Sequence, residues 1–378
     1  MKKILVALVV LALAGGGVFA QGWTFNGIVD AGIGIFIDDD EDDAVLDSIS
    51  SEGANVSNRT WLNIAHVNEG NTAGMSFRLR ADNFYWHTPG FGVNDVDLGL
   101  QWAFGWVSFM DSMVRVEGGL VENGLFNSLD RMTAGQDAGE GVGLLTIVQP
   151  IPNLHLGFGA FGYGALDADD QAGPQFSFLA SYLEPDVFRA VAGFRLAGYG
   201  RWSQAYLSLA LLGLQDMHLA FTAQFNRIAD DFGDYGNIRA FASFAHTGLV
   251  ENMGLHAGLG FANLLSDAVD HVSLWIKAGI DYAVSETIVP RFFLHYVMNG
   301  QANFDNSFHN NSMRDGFMGL SEDQSFLRLH PAVQFRVAPT TFVELGCIFH
   351  VNMGDVGTWR SGGDGMDIAA YALLRVAF

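Results

Sequence analysis

Apolar and polar residues alternate along most of this chain, and charged residues keep to one side of each alternation. In residues 75–82 the odd positions are apolar, while Arg78, Arg80 and Asp82 fall on even positions. Successive side chains of a β-strand point to opposite faces, so each such segment predicts a strand with one wet face and one apolar face. In residues 96–106 every even position is large and apolar, which predicts that Trp102 and Trp106 share the apolar face and that Asp97 lies opposite.

The composition favours a membrane protein built from strands. Charged residues make up only 16% of the chain, glycine and phenylalanine are abundant at 46 and 31 residues, and there are only 8 prolines. Beyond residue 20 no apolar run reaches the roughly 20 residues that a spanning helix needs. Lipid cannot satisfy an open sheet edge, so a strand protein in a membrane must close on itself. The predicted fold is all-β: a membrane-spanning antiparallel up-and-down β-barrel. A secreted β-sandwich or solenoid would leave the apolar outer faces unexplained.

The spacing of the breaks predicts about 18 strands, and 16 is the alternative because the glycine-rich segments 154–165 and 197–200 are ambiguous. Long polar breaks alternate with short ones, as in barrels with long outer loops and tight periplasmic turns. The long breaks are predicted at 37–55, 87–95, 122–140, 167–173, 227–236, 299–323 and 352–365. The short breaks are predicted at 69–73, 108–111, 150–152, 184–186, 215–216, 285–286 and 338–340.

The two ends of the chain agree with export and membrane assembly. Residues 1–20 combine Lys2 and Lys3 with an apolar run and with small or tolerated residues at the cleavage positions 18–20, which predicts a cleaved signal peptide and leaves 21–378 as one barrel domain. The last segment alternates apolar residues back from Phe378. This ending resembles the closing strand of bacterial outer-membrane β-barrels. The resemblance implies a diderm bacterium, export through the general secretory pathway and recognition by the barrel assembly machinery. Cys347 is the only cysteine, so no intramolecular disulfide is expected.

Aromatic residues cluster near the predicted strand ends, where girdles at the lipid headgroups are expected. The predicted girdle residues are Trp23, Trp61, Phe84, Tyr85, Trp86, Trp102, Trp106, Tyr282, Tyr296 and Phe378. By its position in the alternation, Trp275 is instead expected to face the lumen.

The net charge of −22 is distributed unevenly. Acids concentrate in the connections, above all in residues 38–43, whereas arginines lie in strands at positions that point inward. The predicted pore-lining residues are Arg78, Arg80, Asp82, Asp97, Arg115, Glu117, Lys277, Arg291, Arg328 and Arg336. Two interpretations stay open: the inward arginines pair with acids and brace the wall, or they form a basic ladder that favours anions. The run 38–43 lacks the spaced ligands of a calcium loop, so a solvated acidic loop is expected there rather than a cation site.

The third long break occupies the place where general porins fold a loop into the lumen. That resemblance implies that acids of this loop face basic residues of the wall, namely Arg78, Arg80 and Arg115. The candidate loop acids are Glu122, Asp130, Asp137 and Glu140. The longer loop 299–323 is an alternative constriction.

A large unplugged barrel predicts a porin-like channel for passive diffusion of small polar or anionic solutes. The alternative is a non-conducting surface barrel that acts as an adhesin or structural protein through its acidic loops. Strand pattern begins within a few residues of position 20, which disfavours a siderophore-type transporter with an N-terminal plug. The sequence shows no phosphate-binding loop or zinc spacing, so we expect no cofactor and no metal. The histidines are scattered and most point inward, where lining the lumen is the commoner role, so we expect no enzyme activity, with an outer-membrane hydrolase as a distant third interpretation. The negative net charge disfavours nucleic acid as a partner. The expected partners are outer-membrane lipid and small solutes, and the porin resemblance implies a homo-trimer.

Overall fold

The computed structural model describes residues 22–37, 44–49, 58–87, 92–94, 97–130, 141–162, 174–196, 204–226, 237–264, 271–299, 325–338, 340–353 and 365–378. The first ten strands are β1 Trp23–Ile37, β2 Ala44–Ile49, β3 Asn58–Val67, β4 Ala73–His87, β5 Gly92–Asn94, β6 Asp97–Phe109, β7 Val114–Val121, β8 Gly141–Ile151, β9 Leu154–Gly162 and β10 Pro174–Glu184. The other ten are β11 Phe188–Leu196, β12 Gln204–Leu211, β13 Met217–Asn226, β14 Asn237–Thr247, β15 Met253–Leu264, β16 Ser273–Tyr282, β17 Ile288–Met298, β18 Phe326–Ala338, β19 Thr341–Asn352 and β20 Met366–Ala377.

All of these strands belong to one antiparallel sheet that closes on itself. β2 pairs with the outer half of β1, and β5 pairs with the end of β4. The other 18 strands pair with their neighbours along the chain, and β1 pairs with β20 to close the barrel. The predicted up-and-down barrel with 18 strands is therefore confirmed, and the alternative of 16 is wrong.

The seam between the last strand and the first is tied at Gly27. The backbone N–H of Gly27 donates to the carbonyl of Phe378 at 2.9 Å, and the N–H of Phe378 donates to the carbonyl of Gly27 at 3.1 Å. A Cβ at position 27 would lie 2.7 Å from the Phe378 ring. The predicted closing strand thus pairs with β1 from Ile368 to Ala377, and the ring of Phe378 rests on a glycine.

Long and short connections alternate around the barrel, as the sequence predicts. The short connections place asparagine or aspartate in the left-handed backbone region, at Asn71, Asp111, Asn153, Asp186, Asp216 and Asn252. These residues tolerate positive φ better than other non-glycine residues, which explains why tight turns form there. The structure adds the breaks at 197–203 and 265–272 and the turn at 248–252 to those predicted.

Several predicted features lie outside the described residues: the signal peptide, the acidic run 38–43 and residues 300–324 of the penultimate loop. They stay predictions. Within the described part of the chain, no helix is both long and apolar enough to cross a membrane.

Burial alternates between an exposed outer face and a buried inner face along many of the described strands. In β16 the residues Trp275, Lys277 and Gly279 are buried, whereas Ile276 and Ala278 between them are exposed. The inward position predicted for Trp275 is confirmed. The inner face also carries apolar clusters, one of which joins Phe241, Trp275, Val297 and Phe326.

Candidate functional site: the inner face of the barrel

The third long connection leaves the wall after β7 and packs against the inner face. It contains one turn of 3-10 helix, Gly124–Phe126, and the Asn123 side chain caps this turn by accepting a hydrogen bond from the N–H of Leu125 at 2.9 Å. Asparagine is favoured at such a cap because its side-chain oxygen satisfies a free amide. Phe126 is 0% exposed; it lies over Gly157 and belongs to the same apolar cluster as Leu179.

Three polar contacts from strands β11 and β12 hold this connection in place. The Arg189 guanidinium donates to the carbonyl of Leu125 at 2.7 Å, and the Tyr206 hydroxyl donates to the carbonyl of Phe126. The N–H of Leu129 donates to the Ser208 hydroxyl at 2.8 Å. The start of the third connection is therefore a fixed part of the lumen, bound to β11 and β12.

The four candidate loop acids are placed only in part. Glu122 is half-buried at the start of the connection, and Asp130 is buried at the end of its described part. Asp137 and Glu140 lie outside the described residues.

Arg115 has its carboxylate partner on its own strand. Its Nη2 lies 2.7 Å from Oε1 of Glu117, and its guanidinium lies 4.2 Å from the centre of the Trp106 ring. The Asn123 amide donates to both carboxylate oxygens of Glu117 at 3.0 and 2.9 Å. At this point the third connection therefore contributes an amide, Asn123, that binds the carboxylate of Glu117. The resemblance implied instead that a carboxylate of this connection would face Arg115.

A cavity of about 420 Å³ lies beside this pair, between the third connection and strands β6–β9. Its lining is about equally polar and apolar, and it includes residues of two short turns. The lining residues are Asn71, Trp106, Ser108, Ser112, Met113, Arg115, Asn123, Leu125, Ile147, Gln149 and His155.

Arg78 lies between two indole rings on the inner face. Its guanidinium carbon is 4.3 Å from the centre of the Trp61 ring and 3.5 Å from that of Trp102. Its Nε donates to the Asn63 side chain at 2.5 Å, and its Nη1 donates to the Gln101 side chain at 3.4 Å. The prediction that Trp61 belongs to an outer girdle is wrong, since its ring stacks on an inward arginine.

A β-bulge in β6 places two more tryptophans on the face opposite to the predicted one. Leu79 pairs with Leu100 but Arg78 pairs with Trp102, so Gln101 is an extra residue in β6. One extra residue moves every later side chain of a strand to the other face. Leu100 is exposed on the outside, whereas Trp102 and Trp106 contact inward arginines, so their predicted lipid-facing positions are wrong.

Strands β15 to β20 carry a network of hydrogen-bonded charges on the inner face. Arg291 contacts two carboxylates: its Nε lies 2.5 Å from Asp281 and its Nη1 lies 3.2 Å from Glu344. The Tyr371 hydroxyl donates to Glu344 at 2.7 Å and also hydrogen-bonds to His330. Here the interpretation of inward arginines as wall braces is supported.

A second set of polar side chains forms one row across five neighbouring strands. Each member is the register partner of the next, and each is buried. The row runs through Lys277, His295, Arg328, His350 and Asp367. Arg328 is 0% exposed and its Nε lies 3.2 Å from His350 Nδ1. The sequence shows each residue as inward, but only the register shows that they lie side by side.

Of the ten predicted pore-lining residues, eight have described side chains, and these lie on the inner face: Arg78, Arg80, Arg115, Glu117, Lys277, Arg291, Arg328 and Arg336. Asp82 and Asp97 are register partners in β4 and β6, but their side chains lie outside the described part. Sequence reasoning did not single out Gln334, Glu344 or Tyr371 as one site. Among the described residues, no group of three or more histidine, cysteine, aspartate or glutamate side chains could hold a metal ion.

The fold is that of the outer-membrane porins. No protein-family model matches the sequence, and no curated protein matches it. Solved structures do match over nearly the whole chain. OpdK of Pseudomonas aeruginosa, solved with vanillate, is 10% identical with a TM-score of 0.56, over 94% of this chain and 99% of that one.

Two further solved structures are similar. OpdQ of Pseudomonas aeruginosa is 10% identical with a TM-score of 0.55, over 95% of this chain and 99% of that one. An anion-selective porin from Comamonas acidovorans is 13% identical with a TM-score of 0.51, over 94% of this chain and 99% of that one. These likenesses show the porin fold.

Proposed function

We propose that this protein is a porin that lets small polar solutes diffuse passively through its lumen and favours anions. The observation that carries the proposal is an excess of cations over acids among the described side chains of the lumen. The cations of the wall are Arg78, Arg80, Arg115, Arg189, Arg195, Arg239, Lys277, Arg291, Arg328, Arg336 and Arg375. The acids are Asp30, Glu117, Asp281, Glu344 and Asp367 on the wall, and Glu122 and Asp130 on the third connection.

The direction of these side chains follows from the cost of burying charge in lipid. An arginine or lysine on the lipid face at mid-bilayer costs about 2–4 kcal/mol, so these groups lie on the inside. An excess of positive charge on the inner face raises the local concentration of anions in the lumen. Arg291 is largely neutralised by its two carboxylates, whereas Arg78 is held by rings and amides and keeps its charge.

The solved neighbours support the anionic preference. The porin from Comamonas acidovorans is anion-selective, and OpdK was solved with vanillate. We propose a channel without catalytic activity, assembled by the barrel assembly machinery after removal of residues 1–20. A homo-trimer remains a prediction, as do the roles of Glu122, Asp130, Asp137 and Glu140 as constriction acids.

Planar-bilayer recording of the refolded barrel tests the proposal. We expect discrete conductance steps and, in a KCl gradient, a reversal potential that shows preference for chloride. Arg336 suits the variant because it is half-buried and its Nε donates to the side chain of Gln334 at 3.0 Å. Arg336→Gln and the pair Arg78→Ala and Arg80→Ala should each reduce the preference for chloride, whereas Arg336→Lys should retain it.

A correctly folded barrel that gives no conductance would end the channel proposal and favour the adhesin alternative. If the barrel conducts but its selectivity is the same in all the arginine variants, the arginines brace the wall and the anionic preference is wrong.

A further inference from the structure

We infer that the cavity beneath the third connection is a periplasm-facing binding site for a small organic oxyanion, a carboxylate or a phosphate ester, with Arg115 as its charged contact. The inference rests on the proposed channel, because the solute would meet this cavity as it enters or leaves the lumen. It adds a site on β6–β9, apart from the charged network of β15–β20.

The cavity lies at the end of the barrel that carries the short turns. Asn71 belongs to the turn between β3 and β4, and Ser112 and Met113 belong to the turn between β6 and β7. In outer-membrane barrels the short turns face the periplasm. Leu125 of the third connection closes the cavity on the other side. The site is therefore accessible from the periplasmic end and bounded above by a fixed segment.

The charges of this site are arranged so that only the cation is accessible. The side chain of Glu117 is 0% exposed, whereas that of Arg115 is 36% exposed. Glu117 is already bound by the Asn123 amide and by one nitrogen of Arg115. A solute in the cavity can therefore contact the guanidinium of Arg115 but not the buried carboxylate of Glu117. This arrangement favours a solute with a negatively charged acceptor group.

Arg115 is held in position and keeps donors for a ligand. Stacking on Trp106 fixes the plane of the guanidinium, and Trp106 in turn lies flat on Gly74, where a Cβ would be 2.8 Å from the ring. The Nε of Arg115 is buried, so a solute can contact only the exposed part of the side chain, which is 36% accessible. A planar guanidinium is the group that best matches the oxygens of a carboxylate or phosphate.

The remaining lining sets the size and character of the solute. Asn71, Gln149 and His155 offer further hydrogen-bonding groups, whereas Leu125 and Ile147 offer an apolar surface. The volume of about 420 Å³ lies within the range of small-molecule sites. A short organic chain with one anionic end satisfies both kinds of lining.

Asymmetric block of the channel tests this site. Butyrate and glycerol 3-phosphate serve as the carboxylate and phosphate probes, and butyramide and glycerol serve as their neutral counterparts. We expect an anionic probe added on the periplasmic side to interrupt the current at lower concentration than from the outer side, and the neutral counterparts to have no effect. Isothermal calorimetry of the folded barrel in detergent measures the same binding without conductance.

The matched variant is Arg115→Gln together with Glu117→Gln, which removes both charges and leaves no buried carboxylate unpaired. It should raise the half-blocking concentration about tenfold, the usual effect of losing charge-assisted hydrogen bonds. Arg336→Gln is the control, since it lies on the opposite wall and should alter ion selectivity but not this block. If the double variant fails to fold, Arg115→Lys keeps the charge, loses the planar fork and should weaken binding less.

Block or binding by either anionic probe that depends on Arg115 supports the site, and the probe that works identifies the anion. Equal potency of the neutral counterparts, or block that is unchanged in the Arg115 variants, would overturn it. A silent barrel would remove the proposed channel alone. In that case binding heat with an anionic probe would still support the site, and no heat would overturn it.

Discussion

At several points on the inner wall an aromatic ring lies flat across a glycine of the neighbouring strand. Tyr206 covers Gly193, Phe293 covers Gly279 and Tyr371 covers Gly346, and in each pair the two residues are register partners or adjacent to them. A glycine has no Cβ, so the ring can approach the backbone directly. These glycines let aromatic side chains of the inner face pack directly against the backbone of the neighbouring strand.

Gly346→Ala tests this packing at the level of one methyl group. A Cβ at position 346 would lie 2.5 Å from the Tyr371 hydroxyl oxygen, and that hydroxyl also binds Glu344. We expect a loss of about 1–3 kcal/mol in the free energy of unfolding, the usual cost of overpacking. Urea titration of the folded barrel in vesicles, followed by tryptophan fluorescence, measures it.

The control for this variant is Gly105→Ala, whose new Cβ would have no neighbour nearer than 3.6 Å. It should unfold at nearly the urea concentration of the parent chain. In a Tyr371→Ala background the cost of Gly346→Ala should disappear, because the two residues are coupled only through the clash. A cost that persists in that background would contradict the explanation.

At the scale of one strand, the bulge at Gln101 decides what β6 presents to the lumen. Before the bulge Leu100 faces outward, and after it Trp102 and Trp106 face inward and stack on Arg78 and Arg115. Strict alternation would have placed both indoles in lipid. The bulge thus builds two cation–π contacts of the kind that contribute about 0.5–2 kcal/mol each.

Deletion of Gln101 should remove the bulge and still keep Trp102 inward, because Leu100 and Trp102 then become neighbours on opposite faces of the strand. Arg78 and Arg115 would keep their rings, and β6 would keep its pairing with β4 on both sides of that point. We expect a folded fraction close to that of the parent, measured by the mobility difference between heated and unheated samples in SDS gels. Gln101→Ala keeps the extra residue and loses only a long hydrogen bond of 3.4 Å to Arg78, so it should also fold like the parent. A large fall in the folded fraction of the deletion alone would show that the bulge itself is needed and would contradict this account of the register.

At the scale of the whole molecule, one seam determines whether the sheet is a barrel. β1 pairs with β20 from Ile28 to Ile37, and the two hydrogen bonds between Gly27 and Phe378 extend the seam to the end of the barrel that carries the short turns. A closed sheet has no edge to expose to lipid, which is why a single seam affects the stability of every strand.

Removal of Phe378 should weaken that seam at its end. The variant loses both backbone hydrogen bonds and the ring that lies on Gly27, so we expect slower folding and a lower folded fraction. Phe378→Leu keeps the backbone bonds and part of the apolar contact, and should lie between the deletion and the parent. The time course of folding into lipid vesicles, followed by the mobility of unheated samples in SDS gels, gives the folding rates of the parent and the two variants. Folding of the deletion at the parent rate would show that the seam closes without this residue.

The strand pattern, the strand number, the order of long and short connections and the inward direction of most arginines were readable from the residues alone. Period-two alternation and turn residues are local properties, so a single sequence carries them. This is why Lys277, Arg291 and Arg328 were predicted on the correct face. The break at 197–203 was missed where Gly198 and Gly200 obscure the alternation.

Other properties depend on which strands become neighbours and in what register. The row from Lys277 to Asp367, the two carboxylates on Arg291 and the wall contacts of Phe126 each join residues far apart in the chain. The bulge in β6 is the clearest example of what the sequence alone does not show. Gln101 can be recognised as an extra residue only when β6 is compared with its partner strand β4. Alternation is a property of a single strand, so the sequence alone determines it. Charge pairing and the shape of the lumen depend on the closed sheet, because the register of its strands brings distant side chains together.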